Sequence, residues 1–206
     1  MSCPQARGAA AYVKSVHRDW STAMIMSALI TTATPMNTPG NAGTNDLKYV
    51  YDASEGDYIA MLCTQGYNAT QLALIIGSNT TACSNGSTST AAASAGDLNY
   101  PTMAARADPG KNFTLVVPRT ITNVGASGVA AVYDMKVIFT DPADNLAVAV
   151  APSRLEFNTQ TPKASFTVTV SGVVPAAGQV ISAAVVWSDN EHQVRSPVVV
   201  YTDSDD

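Results

Sequence analysis

From Leu98 to Tyr201 the chain alternates apolar and polar residues with a period of two. Phe166, Val168 and Val170 alternate with Thr167 and Thr169, and Ala183, Val185 and Trp187 with Ala184, Val186 and Ser188. A β-strand sends successive side chains to opposite faces, so the 166–170 run is apolar on one face only and must be covered on that face. Turn signals at Asn123-Val124-Gly125, Asp141-Pro142, Asn158-Thr159, Ala177-Gly178 and Asp189-Asn190 divide the region. The candidate strands are 113–123, 130–140, 146–151, 154–157, 164–171, 179–188 and 192–201. About seven short strands in roughly 100 residues predict an antiparallel β-sandwich, with Trp187 as its core anchor.

The first third reads differently. Ala6, Ala9, Ala10, Val13 and Val16 recur at helical spacing. Gly8 and the alanines make a slim helix that is nearly apolar all round and expects burial on most sides. Cys3, on this helix, is expected to be a buried, inert thiol. Ser21 caps a second helix with Met24, Ile25, Ala28 and Leu29 on one face, and Pro35 ends it. Residues 34–50 are rich in Asn, Thr, Pro and Gly and read as a loop. Short helices are expected at Asp57–Gly66 and Ala69–Ile76. Residues 77–97 are dominated by Ser, Thr, Ala, Gly and Asn and read as a low-complexity linker.

With a net charge of −5 and Lys and Arg scattered singly, the 206 residues offer no basic patch for phosphates. No nucleic-acid partner is expected. No apolar run approaches the length that crosses a bilayer, so no membrane partner is expected either. The N-terminus lacks the basic stretch and apolar core of a signal peptide, so the chain taken as written stays in the cytosol. Four sequons point the other way, towards a secretory route: Asn68-Ala69-Thr70, Asn79-Thr80-Thr81, Asn85-Gly86-Ser87 and Asn112-Phe113-Thr114. We read Asn68, Asn79, Asn85 and Asn112 as glycan acceptors.

Catalytic chemistry is hard to assemble from these residues. A serine protease needs a nucleophile, a base within hydrogen-bond reach and an acid that orients the base. The two histidines, His17 and His192, lie far apart in the chain and neither reads as a catalytic base. Together with three dispersed cysteines they give no metal-ligand spacing, so no metal or cofactor is expected. The acidic tail Asp203, Asp205 and Asp206 reads as solvated rather than as a calcium loop. Arg119-Thr120-Ile121-Thr122-Asn123-Val124-Gly125 reads as a strand followed by a turn rather than as a binding loop.

Several motifs together carry a resemblance. Met1-Ser2-Cys3-Pro4 and its helix resemble the segment around the catalytic serine of subtilisin-like proteases, Gly-Thr-Ser-Met-(Ser or Ala)-x-Pro. His17-Arg18-Asp19-Trp20-Ser21, Ile25 to Ala33, Val50-Tyr51-Asp52-Ala53, Asp57-Tyr58 and Leu62-Cys63 are similar to plant-type, cucumisin-like subtilases. So are Leu98-Asn99-Tyr100-Pro101, Arg119 to Gly125 and Trp187-Ser188-Asp189, in that family's fibronectin-III-like domain. One departure is that Lys48-Tyr49 runs directly into Val50-Tyr51-Asp52, where the family carries a longer connection.

The resemblance implies a mixed fold: the α-helical remnant of a subtilisin-type α/β catalytic domain at 1–76, the linker at 77–97, and an antiparallel fibronectin-III-like β-sandwich with an acidic tail at 98–206. The family nucleophile would immediately precede Met1, and Ser2 falls where the family accepts alanine. No triad residue is therefore expected within the chain, and it is expected to be inactive alone. The family carries cysteines matching Cys63 and Cys83, which implies a disulfide in secreted material. Two free thiols are the alternative in a reducing compartment. The resemblance also implies an extracellular location, protein or peptide substrates for the full-length enzyme, and room for a homodimer through it. The competing reading is a stand-alone sandwich that serves as an interaction protein.

Overall fold

The computed structural model describes residues 2–33, 49–77, 83, 94–125, 131–140, 146–174, 176–189 and 191–204. Two helices open the chain, α1 (Ser2–Val16) and α2 (Thr22–Thr31), followed by the two-residue strand β1 (Tyr49–Val50). Then come α3 (Glu55–Thr64), α4 (Ala69–Ile76) and a single 3₁₀ turn at Ala95–Asp97. The rest is strand: β2 (Met103–Arg106), β3 (Asn112–Asn123), β4 (Ala131–Phe139), β5 (Leu146–Ala151), β6 (Arg154–Phe157), β7 (Lys163–Val173), β8 (Val180–Ser188) and β9 (Gln193–Tyr201).

The strands form two sheets, ordered β1-β3-β7-β5 and β2-β9-β8-β4-β6. Every pairing is antiparallel except β2 with β9, which run parallel from Met103 beside Val198 to Arg106 beside Tyr201. The inward residues of both sheets interlock, as facing sheets require. Val117, Ile121, Phe166, Val168 and Val170 come from one sheet, and Tyr133, Leu155, Phe157, Val185, Trp187 and Val198 from the other. Trp187 is fully buried and meets Phe166 edge-on, ring centroids 5.0 Å apart.

Each helix after the first starts on a side-chain cap. Ser21 Oγ accepts from the Met24 N–H at the head of α2. Ser54 and Asp57 form a reciprocal capping box on α3, and Asn68 and Gln71 do the same on α4. Gly77 closes α4 in the left-handed region, φ 78°, where only glycine sits without strain. The box moves the start of α3 to Glu55, two residues before the expected start at Asp57.

Three expectations are corrected. Cys3 is exposed and free, because it falls on the outward side of α1. Residues 49 and 50, read as loop, are a strand on β3, with Val50 wholly buried. Residues 94–97, read as linker, turn against β3, where Gly96 sits beside the Val117 side chain. The rest of that loop and of the linker, 34–48, 78–82 and 84–93, lies outside the described residues, as do Pro35, Asn79 and Asn85.

Candidate functional site

The helices meet the sandwich along a seam whose polar groups are paired across long sequence distances. Trp20, Ile25, Ala28 and Val50 form a small buried cluster there, with Ala10, Val13, Met24 and Leu29 packed on it. Immediately after Val50 the chain dives into the sandwich core: Tyr51 is 1 % exposed and belongs to the main apolar cluster. Its backbone N–H donates to the buried Ser27 Oγ on α2, at 2.9 Å. Its hydroxyl lies 2.6 Å from Ser196 Oγ on β9. Burial pushes the Tyr51 phenol up to about 12, outweighing Ser196 and Arg119, so it stays neutral and the hydrogen bond survives across the ordinary pH range.

Asp52 follows and accepts from Ser21 Oγ at 2.6 Å, which couples the cap of α2 to the connector. Asn99 completes the join. Its Nδ2 donates to the carbonyls of Asp52 and Thr120, and its Oδ1 accepts from the Thr120 N–H. The amide thus acts as one more rung beside β3. Arg119 is 4 % exposed and donates from Nε to the Tyr100 carbonyl and from Nη1 to those of Gly96 and Pro118. Burial lowers its pKa, but a guanidinium stays charged in proteins. The motifs Leu98-Asn99-Tyr100-Pro101 and Arg119 to Gly125 are therefore one structural unit. A sequence signal existed: Arg119 shares its parity with Val117 and Ile121, so it had to point inward. A polar cleft of about 470 Å3 opens over this unit, rimmed by Asp52, Asp57, Asp97, Asn99, Arg119 and Lys163.

On the other side of the seam the helices present apolar surface. Tyr12 is 73 % exposed and Val16 63 % exposed on α1. Leu74 and Ile75 are exposed on α4. Between α2, α3 and α4 lies a hollow of about 550 Å3 lined by Tyr58, Ile59, Leu62, Ile75 and Ile76.

The residues singled out for chemistry are dispersed. Ser2 opens α1, and Met1 lies outside the described residues. His17 stacks on Trp20 with centroids 4.0 Å apart. His192 sits in the β8–β9 hairpin, with Nδ1 at 3.0 Å from Asp189 Oδ2. Partial burial alone would raise the Asp189 carboxyl. Hydrogen bonds from the Tyr133 hydroxyl, the His192 N–H and ring, and the Glu191 N–H overcome this and hold it at about 2. This explains Trp187-Ser188-Asp189 as a core anchor joined to a hairpin brace. Cys63 and Cys83 are joined by a disulfide with Cα atoms 5.4 Å apart. Asn68 is exposed at the head of α4 and Asn112 is exposed at the start of β3. Among the described residues, no three His, Cys, Asp or Glu side chains are grouped to hold a metal, and no helix is long and apolar enough to cross a membrane.

Comparison with known proteins agrees with this arrangement. Residues 97–200 match the family described as fibronectin type-III domain. The subtilisin-like protease SBT4.3 of Arabidopsis thaliana is 38 % identical over 98 % of this chain and 28 % of its own length. SBT4.11 of the same plant is 41 % identical over 98 % of this chain and 28 % of its own length. The chain thus spans less than a third of the curated relatives it matches. These alignments run to 216 and 221 positions against a chain of 206, so the relatives carry residues with no counterpart here. Among solved structures, the VesB protease of Vibrio cholerae covers 49 % of this chain and 30 % of its own, at 14 % identity and a TM-score of 0.34, too low to carry an argument.

Proposed function

We propose, from the premise that the chain belongs to the subtilisin-like proteases and that its residues 97–200 are a fibronectin type-III domain, that it is the part of such an enzyme that anchors helix α1 to the sandwich. The whole enzyme hydrolyses peptide bonds in protein substrates through an acyl-enzyme on serine, outside the cell. The 206 residues alone do not. The observation that carries this reading is the contrast between the two sides of the helical layer. On one side Val50, Tyr51, Ser27 and Asn99 fix the layer rigidly to the sheets. On the other, α1 leaves Tyr12 and Val16 in solvent. Burying one such side chain is worth about 1.5–3 kcal/mol, so this face favours a further apolar body beside it. Both histidines serve local structure, His17 on Trp20 and His192 on Asp189, which supports inactivity of this segment by itself.

A serine-directed fluorophosphonate probe tests the reading. The purified chain is expected to stay unlabelled. When it is mixed with the separately produced remainder of an SBT4.3-type protease, labelling of that remainder is expected to rise at least tenfold. Stoichiometric labelling of this chain at Ser2 overturns the inactivity. A soluble, folded chain that leaves the remainder unlabelled overturns the anchoring and favours the stand-alone interaction protein.

A further inference from the structure

Strand β3 changes neighbours along its length. At its C-terminal end Val50 pairs with Thr122 and Tyr49 with Asn123. One step back, Asn99 takes both the N–H and the C=O of Thr120. In an antiparallel ladder, alternate residues direct both backbone groups to the same side. The groups of Thr114 and Val116 therefore point the same way as those of Thr120, away from β7, and no hydrogen bond reaches them from the described residues. Among the described residues nothing pairs with this side of residues 112–116, which form an open strand edge there. Such an edge is a template for pairing with another chain and is normally blunted. Pro118 blunts one end.

Asn112, Thr114 and Val116 also share the outer face of their sheet, because Phe113, Leu115 and Val117 face the core. Across the ladder Thr114 stands beside Ser171 and Val116 beside Thr169, with Ala147 and Ala149 on the next strand. None of these residues is charged, and Val116 is 54 % exposed in their midst. The sequon Asn112-Phe113-Thr114 sits at the head of this edge, its acceptor exposed.

We infer that Asn112 is an N-glycan acceptor and that its glycan covers the open edge and the uncharged outer face from Asn112 to Val116. The rise of ~3.4 Å per residue puts Val116 roughly 14 Å from Asn112 along the strand, under the first sugars of a branched glycan. The Asn112 amide nitrogen attacks C1 of an oligosaccharide borne on a polyprenyl diphosphate. The N–C1 bond forms and the C1–O bond to the diphosphate breaks. Polyprenyl diphosphate leaves with the electron pair, and the amide gives one proton to a base of the transferase. The inference needs passage through a secretory route and is independent of the protease reading.

The test is secretion of the full chain behind a cleavable leader from a eukaryotic host, followed by peptide mapping with an amidase that converts glycosylated Asn to Asp. Conversion at Asn112 is expected in most molecules. Carbene footprinting of folded protein is expected to label the peptide containing Val116 at least twofold less in the glycoform than after enzymatic deglycosylation. Thr114→Ala removes the glycan while keeping Asn112, and Thr114→Ser restores it. Both are exposed changes that leave the core intact. An unmodified Asn112 in secreted, folded protein overturns the inference. Equal labelling of Val116 with and without the glycan overturns the covering role.

Discussion

Asp189 shows how one side chain can hold a hairpin and set a pH limit on the fold. It accepts from the Tyr133 hydroxyl at 2.6 Å and from the His192 N–H at 2.6 Å, so it ties β4 to the β8–β9 turn. Its carboxyl is held at about 2, below the unfolded value near 3.8. A depressed carboxyl stabilises the fold above its unfolded pKa, and this contribution is lost as the pH falls through the folded one. Wild-type urea midpoints are therefore expected to drop between pH 4 and pH 2. Asp189→Asn should flatten this acid limb and cost roughly 1.5–3 kcal/mol at pH 7, where hydrogen bonds to a charged acceptor are lost. A variant with an unchanged acid limb would mean that other carboxylates dominate it. The brace itself was not legible in the sequence. His192 and Asp189 were visible as residues, but Tyr133 lies more than fifty positions away and only the β4–β8 register brings it there.

At the scale of elements, the α2 cap does two jobs. Ser21 Oγ accepts from the Met24 N–H and its hydroxyl donates to Asp52, so the same oxygen starts the helix and joins it to the connector after β1. Ser21→Ala is expected to cost about 1–2 kcal/mol by denaturant unfolding. Ser21→Thr, which keeps the oxygen, should cost much less. Loss of the same amount in both would point to packing rather than capping. Helices with caps and strands with strong alternation could be read from the sequence, because both signals are local. The candidate strands at 146–151 and 154–157 match β5 and β6 end to end. Elements whose stability comes from a partner could not. Met103-Ala104-Ala105-Arg106 has weak strand propensity, and β9 supplies its pairing in parallel. β1 is too short to show a period at all. The exposure of Cys3 is not legible either, because apolar composition says that a helix seeks burial, not which of its sides finds it.

For the whole molecule, the decisive fact is that the sandwich core includes a residue from far upstream. Tyr51 lies in the same apolar cluster as Met103, Ile121 and Val198, with its hydroxyl on Ser196. Val50 sits against α2 on the other side. The stable unit therefore begins near residue 49, although the alternating pattern begins near Leu98 and the matched fibronectin type-III region at 97. A chain of residues 49–206 is expected to be more stable than one of residues 94–206 by about 3–5 kcal/mol, the usual cost of deleting a buried aromatic side chain. Removing residues 1–16 from the full chain should cost less, because α1 contributes mainly through Ala10 and Val13. Hydrogen exchange of the intact chain should show the same gradient: slowest in the interior strands β7, β8 and β9, intermediate in α2, and fastest in α1 among the helices, where exposed helix leaves local opening cheap. Equal stability of the 49–206 and 94–206 chains would place Tyr51 outside the cooperative core. Protection of α1 equal to that of β8 in a monomer would mean that the helix needs no further body beside it, and the anchoring role proposed for this segment would fall with it.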